Sequence, residues 1–375
     1  MKVLYVVSAS HLKGGASIAL LNIILELKNI VDICVFFPSK GDFSSFLEAR
    51  SITCFYSDIS YSLSIFSDSD NFFIRNIKNA VSLFRRNFAM YCLDRVVKQY
   101  RPDIIHTNVG PLDIGYEIAK KNGITHVWHL REFIDTDFGL KPMPSMKSLI
   151  SKYRDNNNYN IVITKAVQFH FYPLVNSEVV YDGVLPSEDM SDMAKDDYIL
   201  FVGRLEEAKG ILPLIKEFLI YAKEYDKYNL LIAGEGCEDY MNQCKELSNN
   251  SERIKFLGFR NDVYDLMSKA VALFVPSYSE GFGFISVEAM YNHCLVVGRD
   301  RGGIKEQFDR GKDLKGTEIG IRFNNDNEIH QIIRKLECLD TRKMRDVAYE
   351  VVTELYTKRK NAEEVKKIYD KVLRS

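Results

Sequence analysis

Short β-rich runs alternate with helix-patterned segments along this chain, and the alternation occurs in two series. The first series predicts strands at residues 2–8, 32–37, 104–107, 125–130, 161–164 and 179–181. The second series predicts strands at residues 198–203, 230–234, 254–257, 271–275 and 295–297. Strands separated by helices are joined by right-handed crossovers and form parallel sheets. The pattern therefore predicts an α/β protein with two Rossmann-like domains.

A chain of 375 residues is longer than one hydrophobic core usually supports, which also favours two domains. We predict an N-terminal domain at 1–186, a linker at 187–197 and a C-terminal domain at 198–355. A final helix at 356–375 is free to pack back on the N-terminal domain. Two such domains that face each other place a ligand-binding cleft at their interface.

The composition excludes several classes of protein. A formal net charge of −1 argues against nucleic-acid binding, which usually requires a basic excess. The seven scattered cysteines form no CxxC pair and are typical of reduced thiols in a cytoplasmic protein. No apolar run approaches the roughly 20 residues of a membrane-spanning helix. We therefore expect a cytoplasmic protein whose contact with the inner face of the membrane, if it has one, is peripheral.

The segment 276–290 is the most informative part of the sequence. It follows an apolar run, and Glu280, Gly281 and Gly283 precede a predicted helix from about residue 286 that has Glu288 in its first turn. Backbone amides at a helix start bind anions, and the glycines permit close approach. Two carboxylates beside a phosphate site suit a nucleotide-sugar diphosphate, which presents ribose and sugar hydroxyls. The alternative is a solvated Glu280 and a Glu288 that the helix dipole stabilises.

Two cations follow the first strand of the second series. Arg204 and Lys209 lie on one glycine-flanked loop, where a guanidinium fork and an ammonium group can clamp a diphosphate. The alternative is a solvated loop on which both cations pair with Glu206 and Glu207.

Residues in the N-terminal half supply further candidates. Gly14 and Gly15 follow the first strand but do not form GxGxxG, which disfavours a dehydrogenase; they still permit close approach to a phosphate or an acceptor. His129, Arg131 and Glu132 end the strand at 125–130, and alternation places His129 away from the face of His126 and Trp128. A packed core histidine is the alternative. No cluster has metal-ligand spacing, so we predict no bound metal.

The segment 72–101 combines apolar residues at helical spacing with an excess of cations. The apolar positions are Ile77, Val81, Phe84, Phe88 and Tyr91. The cations are Arg75, Lys78, Arg85, Arg86, Arg95, Lys98 and Arg101. Two interpretations are open: a helix lying on an anionic membrane, or a core-packed helix with a solvated basic face.

The order of these motifs resembles that of the retaining GT-B glycosyltransferases of family 4. The resemblance is strongest over roughly residues 198–310, with the element Pro-Ser-x-x-Glu-Gly-Phe-Gly around Glu280 and with Gly302, Gly303 and Glu306 after it. In the N-terminal half it is looser, although the string around His129 is similar to members from bacterial surface-polysaccharide pathways. The chain departs from the family at Asp182, where Asn is common, and at His293 and Leu295, where Gly and Pro are common.

The resemblance implies a GT-B fold and a sugar transfer from UDP- or GDP-sugar to a glycan or lipid-linked acceptor, without an obligatory metal. It implies that Arg204 and Lys209 neutralise the donor diphosphate, that Glu280 accepts from sugar hydroxyls and that Glu288 binds the ribose. The other donor-binding residues implied are Phe259, Arg260, Gly281, Phe282, Gly283 and Phe284. From their own positions in the sequence we add Gly15 to the donor-binding residues, and we expect His129 to act in catalysis with Glu280. The acceptor-side candidates are Gly14, His129, Arg131 and Glu132. Alternatives are a nucleotide-sugar epimerase of the same fold and a non-catalytic nucleotide-sugar-binding protein.

Overall fold

A computed structural model describes residues 1–12, 14–59, 61, 72–138, 142, 145–185, 192–249 and 251–374, without the side chains of 72–75. The chain divides into two compact units. The first unit joins Met1–Gly183 to Lys358–Ser375, and the second is the continuous segment Val184–Thr357. Residues 187–191 of the predicted linker lie outside the described residues.

The strands form one parallel sheet in each unit. The first seven are β1 (Lys2–Val6), β2 (Asp32–Phe37), β3 (Thr53–Tyr56), β4 (Ile104–Thr107), β5 (Thr125–Leu130), β6 (Asn158–Val162) and β7 (Ser177–Val179). The next six are β8 (Tyr198–Val202), β9 (Asn229–Ala233), β10 (Ile254–Gly258), β11 (Ala272–Val275), β12 (Leu295–Arg299) and β13 (Ile321–Phe323). The strand orders are β3-β2-β1-β4-β5-β6-β7 and β10-β9-β8-β11-β12-β13. Both are doubly wound, so the predicted fold class of two Rossmann-like domains is confirmed.

Helices connect the strands within each sheet. The helices that precede the second unit are α1 (Gly15–Leu27), α2 (Asp42–Glu48), α3 (Phe72–Tyr100), α4 (Ile114–Asn122), α5 (Asp135–Phe138), α6 (Met146–Tyr153) and α7 (Lys165–His170). Those that follow are α8 (Ile211–Ala222), α9 (Glu238–Leu247), α10 (Val263–Lys269), α11 (Phe284–Tyr291), α12 (Gly302–Lys315), α13 (Ile329–Leu336), α14 (Arg342–Leu355) and α15 (Lys358–Val372).

The first sheet is covered on both faces, as the alternation of β1 shows. Val3 and Tyr5 point into a core that α1 and α15 complete, whereas Leu4 and Val6 point into a core that α3 and α4 complete. All four side chains are fully buried. Burial of a Val or Leu side chain contributes about 1.5–3 kcal/mol, which is why a two-sided strand is apolar throughout.

The helix α15 belongs to the first unit although the whole second unit precedes it in sequence. Its residues Ala362, Val365 and Ile368 are buried in the same core as α1. The Tyr369 hydroxyl lies 2.9 Å from that of Tyr5 and 2.6 Å from His106 Nδ1. The final helix thus closes one face of the N-terminal sheet.

The second unit follows the same plan. In α13, Ile329, Ile332, Ile333 and Leu336 are buried at the spacing of one helix face and pack in the core of β8, β9 and β11. Helix α8 has Pro213 in its first turn, where the missing amide is tolerated.

The structure adds two edge strands that the sequence pattern did not predict, β3 and β13. They have four and three residues, too few to show a periodicity. The prediction that Glu288 lies in the first turn of its helix is wrong. Helix α11 begins at Phe284 rather than near residue 286, so Glu288 lies in the second turn.

Candidate functional site

The chain order of the second sheet reverses between β8 and β11. Open parallel sheets bind ligands outside the carboxyl ends of the strands at such a switch point. Arg204 and Lys209 follow β8, and Glu280 follows β11. The structure therefore brings these three predicted donor-site residues to one edge of the sheet.

The loops that follow β8 and β11 are fastened to each other. The backbone amide of Tyr278 donates to Ala208 O at 2.9 Å. Gly210 has a φ of +69°, and a Cβ there would lie 2.4 Å from Pro276 O. Because a side chain at this position would be strained and would collide with the neighbouring loop, glycine is required for the close approach.

Lys209 and Glu280 contact each other directly. Lys209 Nζ donates to Glu280 Oε1 at 2.7 Å, and Ser277 Oγ donates to the same oxygen at 2.8 Å. The two charged side chains are 23% and 14% exposed. The alternative in which Lys209 pairs with Glu206 or Glu207 is not what the structure shows. Arg204 does pair with Glu206, at 2.9 Å, and its side chain is 62% exposed.

A third loop, between β12 and α12, holds the backbone of Glu280. Gly303 N donates to Glu280 O at 2.8 Å. A Cβ at Gly302 would lie 2.6 Å from Glu280 O, and one at Gly303 would lie 2.3 Å from Phe282 O. The two glycines that the sequence pattern supplied only as landmarks therefore permit close packing against the Glu280 segment.

Gly283 and the side chain of Gln307 hold the start of α11 in place. Gly283 has a φ of 86° and caps the helix, and Gln307 Nε2 donates to Phe282 O at 2.6 Å and to Gly283 O at 3.1 Å. Phe282 is only 2% exposed, so its ring is part of the core and its backbone is what a ligand can meet. Gln307 was not predicted as a site residue, because a lone glutamine in a helix carries no motif.

Glu288 has a tyrosine beside it. Tyr264 Oη donates to Glu288 Oε1 at 3.4 Å, which is a long hydrogen bond. Burial, and secondarily the Glu288 carboxylate, raises the pKa of Tyr264, so the hydroxyl keeps its proton and remains a donor. Tyr264 is a second residue that sequence reasoning missed.

The loop after β10 carries an exposed aromatic ring. Phe259 is 70% exposed. Its amide lies 3.4 Å from Glu235 Oε1, at the end of β9. Arg260 forms a two-pronged contact with Asp262, with Nε 2.7 Å from Oδ1. Glu235 was not predicted as a site residue, although its position just after a strand is the signal that identified Glu280.

In the first unit, Gly14 and Gly15 lie at the start of α1. Gly14 caps the helix with a φ of 91°, and Gly15 is its first residue. A Cβ at Gly14 would meet nothing within 4 Å, so this glycine is required by its backbone angle and not by close packing.

His129 is fully buried, on the face of β5 that α15 covers, away from His126 and Trp128 as alternation predicted. Its ring lies 5.4 Å from that of His106. Arg131 Nη2 lies 3.1 Å from His129 Nδ1. A guanidinium can only donate, so Nδ1 accepts and the proton of the neutral imidazole resides on Nε2. Burial, reinforced by Arg131, holds the pKa of His129 well below its usual range.

Arg131 and Glu132 both serve the interior of the first unit. Arg131 donates from Nε to Asn108 Oδ1 at 3.1 Å and from Nη1 to Asp182, whose side chain is 1% exposed. The aspartate that departs from the family pattern is thus the counter-charge of a buried arginine. Glu132 Oε1 accepts from Gly110 N at 2.9 Å.

The apolar stripe of α3 is exposed over its first half. The exposed residues are Ile77 (66%), Val81 (44%), Phe84 (67%), Phe88 (40%) and Tyr91 (62%). The core-packed interpretation holds only further along, where Ala89, Leu93, Val96 and Val97 are buried. Arg86 is held by Asp113 in two hydrogen bonds of 2.9 Å, and the side chain of Arg75 lies outside the described residues.

None of the helices in the described part of the chain is both long and apolar enough to cross a bilayer.

Comparison with known proteins shows that most of the second unit is similar to a known protein family. Residues 190–351 match the family described as glycosyl transferases group 1. Over 159 residues the chain is 33% identical to the N-acetylgalactosamine-N,N'-diacetylbacillosaminyl-diphospho-undecaprenol 4-alpha-N-acetylgalactosaminyltransferase of Campylobacter jejuni. The aligned residues make up 40% of this chain and 41% of that protein. Over 128 residues it is 34% identical to the O-antigen chain mannosyltransferase RfbU of Salmonella typhimurium, covering 32% and 35%. The chain thus spans less than half the length of these two relatives.

The whole chain resembles solved structures of the GT-B class. HepE from Anabaena, solved in complex with UDP and glucose, superposes with a TM-score of 0.76 over 99% of both chains at 19% identity. At that identity the likeness establishes the fold. Residues 190–351 therefore carry the sequence features of the group 1 glycosyl transferases, within a chain that has the GT-B fold.

Proposed function

We propose that this protein is a retaining glycosyltransferase that moves a sugar from a UDP- or GDP-sugar to a glycan or lipid-linked acceptor in surface polysaccharide synthesis. The observation that carries the proposal is the contact of Lys209 with Glu280 at the switch point of the second sheet. A cation suited to a phosphate and a carboxylate suited to sugar hydroxyls meet there, beside the start of α11.

The donor occupies the edge formed by the β8 and β11 loops. Arg204 and Lys209 neutralise the diphosphate, and the backbone amides from Gly281 to Phe284 hold it at the helix start. Glu280 accepts from sugar hydroxyls and Glu288 from the ribose. The base lies against Phe259 and Arg260, because the exposed Phe259 ring offers a stacking surface. Gly15, the first residue of α1, remains a donor-binding candidate.

Transfer proceeds with retention by front-face attack. The bond from the anomeric carbon to the leaving phosphate oxygen breaks, the acceptor oxygen bonds to the same face of that carbon, and the acceptor proton passes to the leaving phosphate. His129 assists as a neutral N–H donor through Nε2 and not as a base, because Arg131 occupies Nδ1. Side chains around His129 must move before a substrate can reach it, since it is fully buried. Gly14, Arg131 and Glu132 remain acceptor-side candidates.

The acceptor is lipid-linked in this proposal, as the name of the Campylobacter relative states for that enzyme's own substrate. The cytoplasmic protein then meets the inner face of the membrane through α3. Its exposed apolar stripe and exposed cations such as Arg85 suit an anionic bilayer surface. Arg86 does not take part, because Asp113 already holds it.

The proposal is tested by thermal-shift screening of UDP, GDP and their sugars, followed by an assay of nucleotide diphosphate release. A ligand at 100 times its Kd stabilises by about 2.7 kcal/mol. A transferase releases the diphosphate when a lipid-linked acceptor is added. Conversion of the sugar without an acceptor would indicate an epimerase, and binding without turnover would indicate a nucleotide-sugar-binding protein.

A further inference from the structure

Arg299 joins the ends of three neighbouring strands with one side chain. It is the last residue of β12 and is 7% exposed. Its Nε donates to Pro276 O, just after β11, at 3.1 Å. Its Nη1 donates to Asn324 O, just after β13, at 3.0 Å, and its Nη2 contacts the Asp326 carboxylate.

The same guanidinium also orders the loop that leads to Glu280. Its Cζ lies 4.3 Å from the centroid of the Tyr278 ring, within the range of a cation–π contact. The Tyr278 hydroxyl donates to Asp326 Oδ2 at 3.0 Å, so the tyrosine is held by both members of the Arg299–Asp326 pair. Arg299 therefore fixes the loop at its first residue, Pro276, and again at Tyr278.

We propose that Arg299 is a positioning residue for the donor sugar: it holds the 276–280 loop so that the Glu280 carboxylate meets the sugar hydroxyls. The inference rests on the proposed function and adds to it a residue that makes no direct contact with Glu280. Arginine is required because its planar group presents five donors in a fixed fork. A lysine at this position keeps the charge, but one ammonium group cannot reach acceptors beyond β11 and beyond β13 together.

The proposal separates the sugar side of the donor from its nucleotide side. The Glu280 carboxylate accepts hydrogen bonds from the side chains of Ser277 and Lys209, and Arg299 is not among these donors. Arg204 and Phe259 lie on the loops after β8 and β10, and the loop after β8 is joined to the 276–280 loop by the hydrogen bond from Tyr278 N to Ala208 O. Loss of the Arg299 fork is therefore expected to weaken recognition of the sugar much more than affinity for the nucleotide diphosphate.

The experiment compares Arg299→Lys with wild type and with Arg301→Lys, a matched change at an exposed arginine on the same loop. Calorimetry uses UDP or GDP and the sugar nucleotide that shifts wild-type melting most among UDP-GlcNAc, UDP-GalNAc, UDP-glucose, UDP-galactose and GDP-mannose. We expect Arg299→Lys to keep the nucleotide Kd within about twofold, to weaken sugar-nucleotide binding about tenfold and to lower kcat about 10–100-fold, as misplacement by an ångström does. Arg301→Lys should match wild type.

Unchanged sugar-nucleotide affinity and kcat in folded Arg299→Lys would overturn the proposal. Parallel weakening of nucleotide and sugar nucleotide would overturn it too, because that is the result of a purely structural role. If Arg299→Lys does not fold, Asp326→Asn is measured instead; it must show the same selective loss at smaller amplitude, and a wild-type ratio of the two affinities would reject the proposal. Absence of any nucleotide binding by wild type would instead refute the proposed function.

Discussion

Lys209 Nζ lies 2.7 Å from Glu280 Oε1, so the cation assigned to the diphosphate and the carboxylate assigned to the sugar neutralise each other in the structure. A diphosphate that binds Lys209 must compete with Glu280 for the ammonium group. Once it has done so, Glu280 is available to accept from sugar hydroxyls. The two halves of the donor are thereby coupled through one ion pair.

This coupling predicts that Glu280→Gln binds UDP or GDP at least as tightly as wild type. The substitution removes a competitor for Lys209 and leaves the nucleotide contacts in place. Turnover should nevertheless fall by roughly 10²–10³-fold, because the carboxylate acts where charge develops. Calorimetry and diphosphate release measure the two effects, with Glu207→Gln as the control on the neighbouring loop. Weaker nucleotide binding, or near wild-type turnover at saturating donor, would contradict the prediction.

Arg204→Ala and Lys209→Ala should each weaken binding of the nucleotide diphosphate. A hydrogen bond to a charged group is worth about 1.5–3 kcal/mol, which corresponds to a factor of ten or more in Kd. The Arg204 side chain is 62% exposed and that of Lys209 is 23% exposed, so the effect of Arg204 should be the more sensitive to salt. Unchanged affinity in calorimetry would contradict the assignment of both residues to the diphosphate.

Transfer should continue in EDTA. In the part of the chain that the structure describes, His, Cys, Asp and Glu residues form no group that could hold a metal ion. Arg204, Lys209 and the amides at the start of α11 supply positive charge for the diphosphate instead. Complete loss of activity in chelator, restored by magnesium, would show that this account is wrong.

The exposed stripe of α3 predicts sedimentation with anionic liposomes but not with neutral ones. Each cation near an anionic surface contributes about 1 kcal/mol, so binding should weaken as salt rises. Arg85→Glu combined with Phe84→Ser should reduce sedimentation while the melting temperature holds. Lys147→Glu, a charge change at an exposed lysine of α6, is the control. Equal behaviour with both kinds of liposome would favour a soluble acceptor.

The first unit should lose stability as the pH falls from about 6.5 towards 4. Burial lowers the pKa of His126 to about 4 and holds the pKa values of His106 and His129 well below their usual range. The unfolded chain takes up these protons first, so stability is present above pH 6.5 and is lost at about 1.4 kcal/mol per pH unit for each histidine. The ring centroid of Trp128, the single tryptophan of the sequence, lies 5.3 Å from that of His126. Its fluorescence therefore reports the unfolding of this region when urea is added. His126→Gln should remove one histidine's share of the slope, and an unaltered slope would contradict the assignment.

The sequence predicted the parts of the fold that depend on local pattern. The bounds of β2, β4 and β5 agree with the predicted strands because nearly all of their residues are buried, on both faces of the sheet, and polar residues or a turn follow each strand. It did not predict β3 and β13, whose few residues are held by neighbouring strands and carry little signal of their own. Sheet order was also beyond local pattern, because pairing is a long-range property.

For the candidate site, sequence reasoning could identify residues but not their partners. A carboxylate after a strand identified Glu280, whereas its contact with Lys209 joins residues 71 positions apart. Arg299 was missed because nothing local distinguishes a buried arginine from a solvated one. His129 was predicted near an acceptor, and the structure shows it buried behind α15 in contact with Arg131, which no spacing rule anticipates.

The return of α15 to the first unit sets the order in which the two units can mature on the ribosome. A nascent chain that ends before residue 358 has every strand of the N-terminal sheet but lacks α15, one of the two helices that cover one of its faces. The second unit is continuous and can finish as soon as it has emerged. Domains usually mature from the N-terminus during synthesis. Here the part of the N-terminal core that α15 covers stays exposed until the second unit has been synthesised, and chaperones have that interval in which to bind it.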